Sequence, residues 1–142
     1  MNIITVNIYN DIKELSDIHL QRKLWLNENN DTGYISSYIE AINRLFDDDN
    51  FDDFVDNSAF REGFSIDIIN DFDKLRSLLN EYQEKDTEKE ILNDPNWHVI
   101  ADFAKSIIKN GIISRVAISP TNSEIKIRKA SSKFSIQKWK EW

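Results

Sequence analysis

The chain has 142 residues, 40% of them hydrophobic and 30% charged, with a net charge of −7. That size and balance indicate one globular domain with a single core and exclude a disordered or fibrous chain. The lack of cysteine excludes disulfides, thiolate nucleophiles and cysteine-ligated metals, and no apolar run approaches the roughly 20 residues of a spanning helix.

In chain order, "IITVNIY" alternates, with Ile4, Val6 and Ile8 on one face, and predicts a short strand over residues 3–9. The N-terminus "MNIITVNIYNDIKEL" has no basic region followed by an apolar stretch, so no secretory signal is expected and a cytoplasmic location follows by default. Asn10 or Asp11 then caps a helix over 11–28, in which Ile12, Leu15, Ile18, Arg22, Trp25 and Leu26 keep helical spacing. A connector of turn formers covers 27–33. Ser36 or Ser37 caps a second helix over 35–48, with Tyr38, Ile39, Ile42, Leu45 and Phe46 as its stripe.

Beyond Gly63, Ser65 caps a third helix over 65–84, carrying Ile68, Ile69, Phe72, Leu75, Leu79 and Tyr82, and "QEKDTEKE" reads as charged surface. A fourth helix covers 94–110. Asn93 or Asp94 caps it, Pro95 occupies the first turn, Trp97, Ile100, Ala101, Ala104, Ile107 and Ile108 form its buried stripe, and Gly111 closes it. After Gly111 the period changes to 2, through Ile125, Ile127, Phe134 and Ile136. The expected fold is therefore α+β, mostly α: one domain over 1–142, a bundle of about four helices with a short N-terminal strand and a small C-terminal antiparallel β element. Residues 112–142 form a basic β-rich end, either integral or appended. The expected core holds Leu15, Trp25, Ile39, Ile42, Phe46, Phe72, Leu75, Leu79, Trp97, Ile100, Ala104 and Ile107.

The charge is uneven. Residues 1–100 carry 9 Lys+Arg and 22 Asp+Glu, a balance of −13, while residues 101–142 carry 9 and 3, a balance of +6. An acidic body disfavours nucleic acid and favours cationic partners. The acid concentrates in "LFDDDNFDDFVDN", where Asp47, Asp48, Asp49, Asp52, Asp53 and Asp56 are threaded with Phe51 and Phe54. Aspartates following a helix oppose its C-terminal dipole, so they are candidates for function.

A calcium loop starting at Asp48 would put Asp53 at position 6 and Ala59 at position 12, where glycine and a bidentate glutamate are required. No metal is expected. A contiguous run on one turn does not resemble the paired carboxylates of a hydrolytic cleft, and His19 and His98 sit in helical patterns without convergent partners. Phosphate loops and nucleophile elbows are absent, so neither an enzyme nor a cofactor is expected. Two readings of the acidic segment stay open: a patch that docks on a basic cleft, with Phe51 and Phe54 as rings for burial, or a solvated segment anchored by two core phenylalanines. The tail allows another function class, since Lys126, Arg128, Lys129, Lys133, Lys138 and Lys140 are interleaved with Phe134, Trp139 and Trp142. A regulatory or adaptor module touching nucleic acid through that tail is the alternative, set against an ordinary sheet with a lysine face.

The segments "DIKELSDIHLQRKLWLN", "SSYIEAINRLFDDDNFDDFVDN", "LRSLLNEY" and "DPNWHVIADFAKSII" resemble small bacterial immunity proteins of polymorphic-toxin and contact-dependent growth inhibition systems. Leu24-Trp25-Leu26, Leu45-Phe46-Asp47-Asp48 and Trp97-x-x-Ile100 carry the resemblance, which covers roughly residues 11–109. It implies a non-enzymatic, tight-binding antidote whose partner is a cognate toxin domain, a nuclease being one candidate. The chain after Ile112 departs from the pattern.

Overall fold

The structure, a computed structural model, describes residues 2–112. Every regular element among them is helical: α1 (Ile3–Ser16), α2 (Ile18–Leu26), α3 (38–48), α4 (51–61), α5 (Ile66–Glu81), α6 (Glu88–Leu92) and α7 (Pro95–Ile107). Among the described residues there is no strand, which corrects the α+β expectation to an all-α fold. The predicted C-terminal β element falls outside the described residues.

The N-terminal strand is replaced by the first half of α1. Asn2 caps it, its side chain accepting from the Thr5 N–H at 2.9 Å. Thr5, Ile8, Tyr9, Ile12, Leu15 and Ser16 then share a buried face at helical spacing. The alternation of Ile4, Val6 and Ile8 is real but local. Ile4 is exposed and Ile8 fully buried, so the three do not share a buried side. Packing of a fourteen-residue stripe against α7 outweighs the strand preference of a few β-branched residues.

The predicted 11–28 helix is two helices broken at Asp17. The extended backbone of Asp17 ends α1, and its side chain accepts from the Leu20 N–H at 3.0 Å to start α2. Asn27, with φ of 55°, closes α2 in the left-handed conformation that asparagine tolerates. Ser37, Ser65 and Asp94 cap α3, α5 and α7, and Pro95 occupies the first turn of α7. The charged segment before Asn93 contains α6, opened by a capping box in which Thr87 and Glu90 satisfy each other's backbone N–H groups.

Three turns are wide, with each N–H reaching the fifth carbonyl back. They cover Arg44–Asp48 in α3, Phe54–Ser58 in α4 and Ile108–Ile112 beyond α7. The Asp49 N–H, bonded to the Arg44 carbonyl at 2.9 Å, closes the first. Asn50, with φ of 48°, reverses the chain there and caps α4.

The core has two aromatic centres. Trp25, Tyr38, Tyr82 and Trp97 meet where α2, α3, α5 and α7 converge, with centroids 5.3–6.2 Å apart. Phe51, Phe54, Phe64 and Phe72 fill the other, between α4 and α5, with Phe46 at its margin. Such edge-on and tilted pairs add about 0.5–1.5 kcal/mol each beyond area burial. Ile39 departs from the expected core, at 51% exposed, and Ile42 and Phe46 are only partly buried. The buried face of α3 instead runs through Tyr38, Ala41 and Leu45.

Candidate functional site

The six aspartates of the acidic segment straddle two helix ends. Asp47 and Asp48 lie in the wide last turn of α3, and Asp49 ends it. Asp52 and Asp53 lie in the first turn of α4, and Asp56 one turn further on. The α3 dipole therefore opposes Asp47–Asp49, whereas Asp52 and Asp53 sit where a helix favours negative charge.

Phe51 and Phe54 are not surface rings. They are 0% and 1% exposed, packed on Phe72, and this corrects the expectation that they offer rings to a partner. Their spacing fixes α4 onto α5 and turns the intervening aspartates outward. The exposed ring of this segment is Phe60, on α4 one turn beyond Asp56 and 75% exposed. No apolar stripe claimed Phe60 in the sequence, and that was the available signal.

Arg76 on α5 gathers three of the carboxylates around α4. Its guanidinium lies 3.2 Å from Asp52, 3.0 Å from Asp56 and 2.7 Å from Asp73. These hydrogen bonds, Asp56 first and Asp73 next, hold the guanidinium firmly in its charged form. Asp53 is bound locally, accepting from Asn57 Nδ2 at 2.8 Å. Asp47 and Asp48 form no ion pair or hydrogen bond among the described residues, and both are exposed. The edge thus divides into a neutralised part, Asp52 and Asp56, and a part whose charge is available, Asp47 and Asp48.

Behind the available part lies a polar network that the sequence did not reveal. Glu14, only 4% exposed, accepts from Trp25 Nε1 at 2.8 Å and pairs with Arg44 at 2.9 Å. Arg44 also donates to Ser36 Oγ at 3.3 Å, tying α1, α2 and α3 together. One turn before Glu14, Asp11 is 4% exposed, and its Oδ2 has no hydrogen-bond partner. Burial, then a hydrogen bond with Asp49 and the Asp49 charge, push the Asp11 carboxyl from 3.8 up to about 10, against the opposing pull of Arg44. Burial and the neighbouring Asp49 carboxylate thus favour the protonated form of Asp11 over the charged one. Its signal was visible: it falls between Ile8 and Ile12 on the buried stripe of α1.

An open cleft of about 370 Å³ lies over this network, lined by Asn7, Asn10, Asp11, Arg44, Asp48 and Asp49. A second cleft of about 300 Å³ lies beside Tyr82, Asp94 and Asn96, where the Tyr82 hydroxyl donates to Asp94 at 2.7 Å. Among the described residues no group of three or more His, Asp or Glu side chains is arranged to hold a metal ion, and no helix is long and apolar enough to cross a membrane.

Fold and surface together define the chain, over its described residues, as an all-helical protein with a partly neutralised acidic edge. No family model matches it, and neither a curated protein nor a solved structure does so.

Proposed function

We propose that the chain is an immunity protein: it binds a cognate bacterial toxin domain in the cytoplasm and neutralises it without catalysis of its own. Binding lays the acidic edge over a basic active-site cleft, such as that of a nuclease, and occludes the groups that hold substrate. The observation that carries this reading is the pair Asp47 and Asp48, exposed and uncompensated at a helix C-terminus that disfavours them. Phe60 supplies apolar contact on the adjoining helix, the role first assigned to Phe51 and Phe54. The acidic body steers a cationic partner at long range.

The test is co-expression with the C-terminal domain of the protein encoded by the neighbouring reading frame. Wild type should co-purify with that domain and protect the cell. The variant D47N/D48N should melt like wild type yet associate more slowly, the difference shrinking as salt is raised. Phe60→Ser should speed dissociation instead. Failure of wild type to bind or protect overturns the reading. Retention of RNA or DNA by the full chain in that case points to the adaptor alternative.

A further inference from the structure

Asn2, at the start of α1, donates from Nδ2 to Glu62 Oε2 at 2.7 Å, and this bond sets the beginning of α1 against the corner between α4 and α5. Exposed apolar side chains lie on both sides of it: Ile3 and Ile4 on α1, Phe60 at the end of α4 and Ile66 at the start of α5. They are four of the eight large apolar residues exposed among the described residues. Single exposed apolar residues are ordinary, but half of the set gathered at one corner is an unpartnered face.

The course of α7 shows which part of the chain starts nearest to that face. The helix enters beside the end of α1, where Trp97 reaches Gln21 and Gln21 reaches the Glu14 carbonyl. It then runs back along α1 for 13 residues, about 20 Å. The wide turn Ile108–Ile112 therefore packs at the opposite end of α1, the end that carries Ile3 and Ile4. Residues 113–142 follow from there. They hold 7 Lys+Arg and 2 Asp+Glu, a balance of +5, against −12 for residues 1–112. Ile125, Ile127, Phe134, Ile136, Trp139 and Trp142 give the same segment apolar groups. Its 30 residues can span up to about 100 Å, and a body of this size has a radius of gyration of about 13 Å, so length sets no limit. Charge argues against the helical body of a second copy as the occupant, since both bodies are acidic.

We propose that residues 113–142 fold back on their own chain and cover the face formed by Ile3, Ile4, Phe60 and Ile66. The apolar groups of the segment bury those side chains. Its lysines and arginines meet the carboxylates around the face: Glu62 at the corner, and Asp48, which shares a cleft with Asn7 and Asn10 of α1. Covalent attachment gives the segment a high effective concentration at this face, so individually weak contacts suffice. A cationic partner arriving at Asp48 then competes with the chain's own cations, and that consequence alone rests on the toxin reading.

The chain has no cysteine, so Ser132→Cys carries a single nitroxide in the full-length protein, and amide NMR signals report its proximity. The amides of Ile3, Ile4, Phe60 and Ile66 should broaden strongly. Those of α6, which packs on α2 beyond the other end of α1, should not. Lys126→Glu/Arg128→Glu/Lys129→Glu and, separately, Ile4→Ser/Phe60→Ser should each remove most of the broadening, with circular dichroism checking that helicity is retained. Raised salt should weaken it. A mixture of spin-labelled chains with isotope-enriched unlabelled chains should show none. Absence of broadening overturns the proposal and leaves the face to a separate partner. Broadening in the mixture overturns it in favour of a second copy's segment. Equal broadening of α6 and the corner, or wild-type broadening in both variants, overturns it as well. Toxin capture is measured separately, and its failure removes only the competition at Asp48.

Discussion

Trp97 on α7 donates its indole N–H to Gln21 Oε1 on α2 at 2.9 Å, joining residues 76 apart in sequence. The same glutamine uses its amide nitrogen to reach the Glu14 carbonyl on α1 at 2.8 Å. Gln21 and Trp97 are both 0% exposed. One buried side chain on α2 thereby satisfies a donor on α7 and an acceptor on α1 and ties the three helices together.

Gln21→Ala should destabilise the protein by about 2–4 kcal/mol, because it opens a cavity and strands the Trp97 N–H. Trp97→Phe removes that donor. In a double-mutant cycle the two losses should fall short of additivity by about 0.5–3 kcal/mol. Urea unfolding of the four proteins measures the coupling, and strict additivity would show that the bond contributes nothing.

Arg76→Met should cost about 1–2 kcal/mol at low salt, since it leaves Asp52, Asp56 and Asp73 crowded without their cation. The loss should narrow at high salt. Asp47→Asn and Asp48→Asn, which break no pair, should stay within about 0.5 kcal/mol of wild type. Equal effects at Arg76 and Asp48 in thermal melts would argue against the division of the acidic edge.

Asp11 makes stability depend on pH in an unusual direction for an aspartate. Its carboxyl is raised from 3.8 to about 10 in the folded state. The folded state therefore holds a proton that the unfolded state has lost throughout that window. The contribution is fully present below 3.8 and declines as pH rises toward 10. Asp11→Asn should flatten this decline and gain stability relative to wild type as pH rises. Parallel stability-against-pH curves for the two proteins would refute the assignment.

Asp94 acts with the opposite sign. The hydrogen bond from Tyr82 holds its carboxyl below 3.8, ahead of the burial that opposes this. Its contribution is present above 3.8 and lost as pH falls through the depressed value. Tyr82→Phe should lower the melting temperature at neutral pH, and the gap from wild type should close in acid. A gap independent of pH would assign the effect to packing against Trp97 alone.

Much of the helical body was legible because its signals are local. Ser37, Ser65 and Asp94 are caps with donors three or fewer residues away, and Trp97, Ile100, Ala104 and Ile107 repeat on one face. The misses have separate causes. Seven residues of alternation cannot by themselves tell a strand from two turns of a longer stripe. The break at Asp17 depends on a single side chain serving two helices. The wide turn over Arg44–Asp48 shifts the register, and Ile39, which fits an ideal helix, faces out. The Arg76 cluster joins residues 20 and 24 apart across two helices, a proximity that no spacing rule contains. For Asp11, the signal lay in an acid placed among Ile8, Ile12 and Leu15, and only packing on α3 gives it a partner.

The wide turns over Arg44–Asp48 and Phe54–Ser58 make the acidic segment sensitive to length more than to identity. Each turn accommodates one residue beyond the regular count, and each residue of an α-helix advances the chain by about 100°. Deleting one residue from the first turn would let α3 close regularly, but it would swing the connection to Asn50 and displace Phe51 from its seat on Phe72. Chains descended from this one can therefore exchange aspartate for asparagine at the exposed positions with little harm. A single-codon insertion or deletion there would have to be matched by repacking of a whole aromatic cluster. Surface charge is free to drift by substitution while the frame that presents it is held by count.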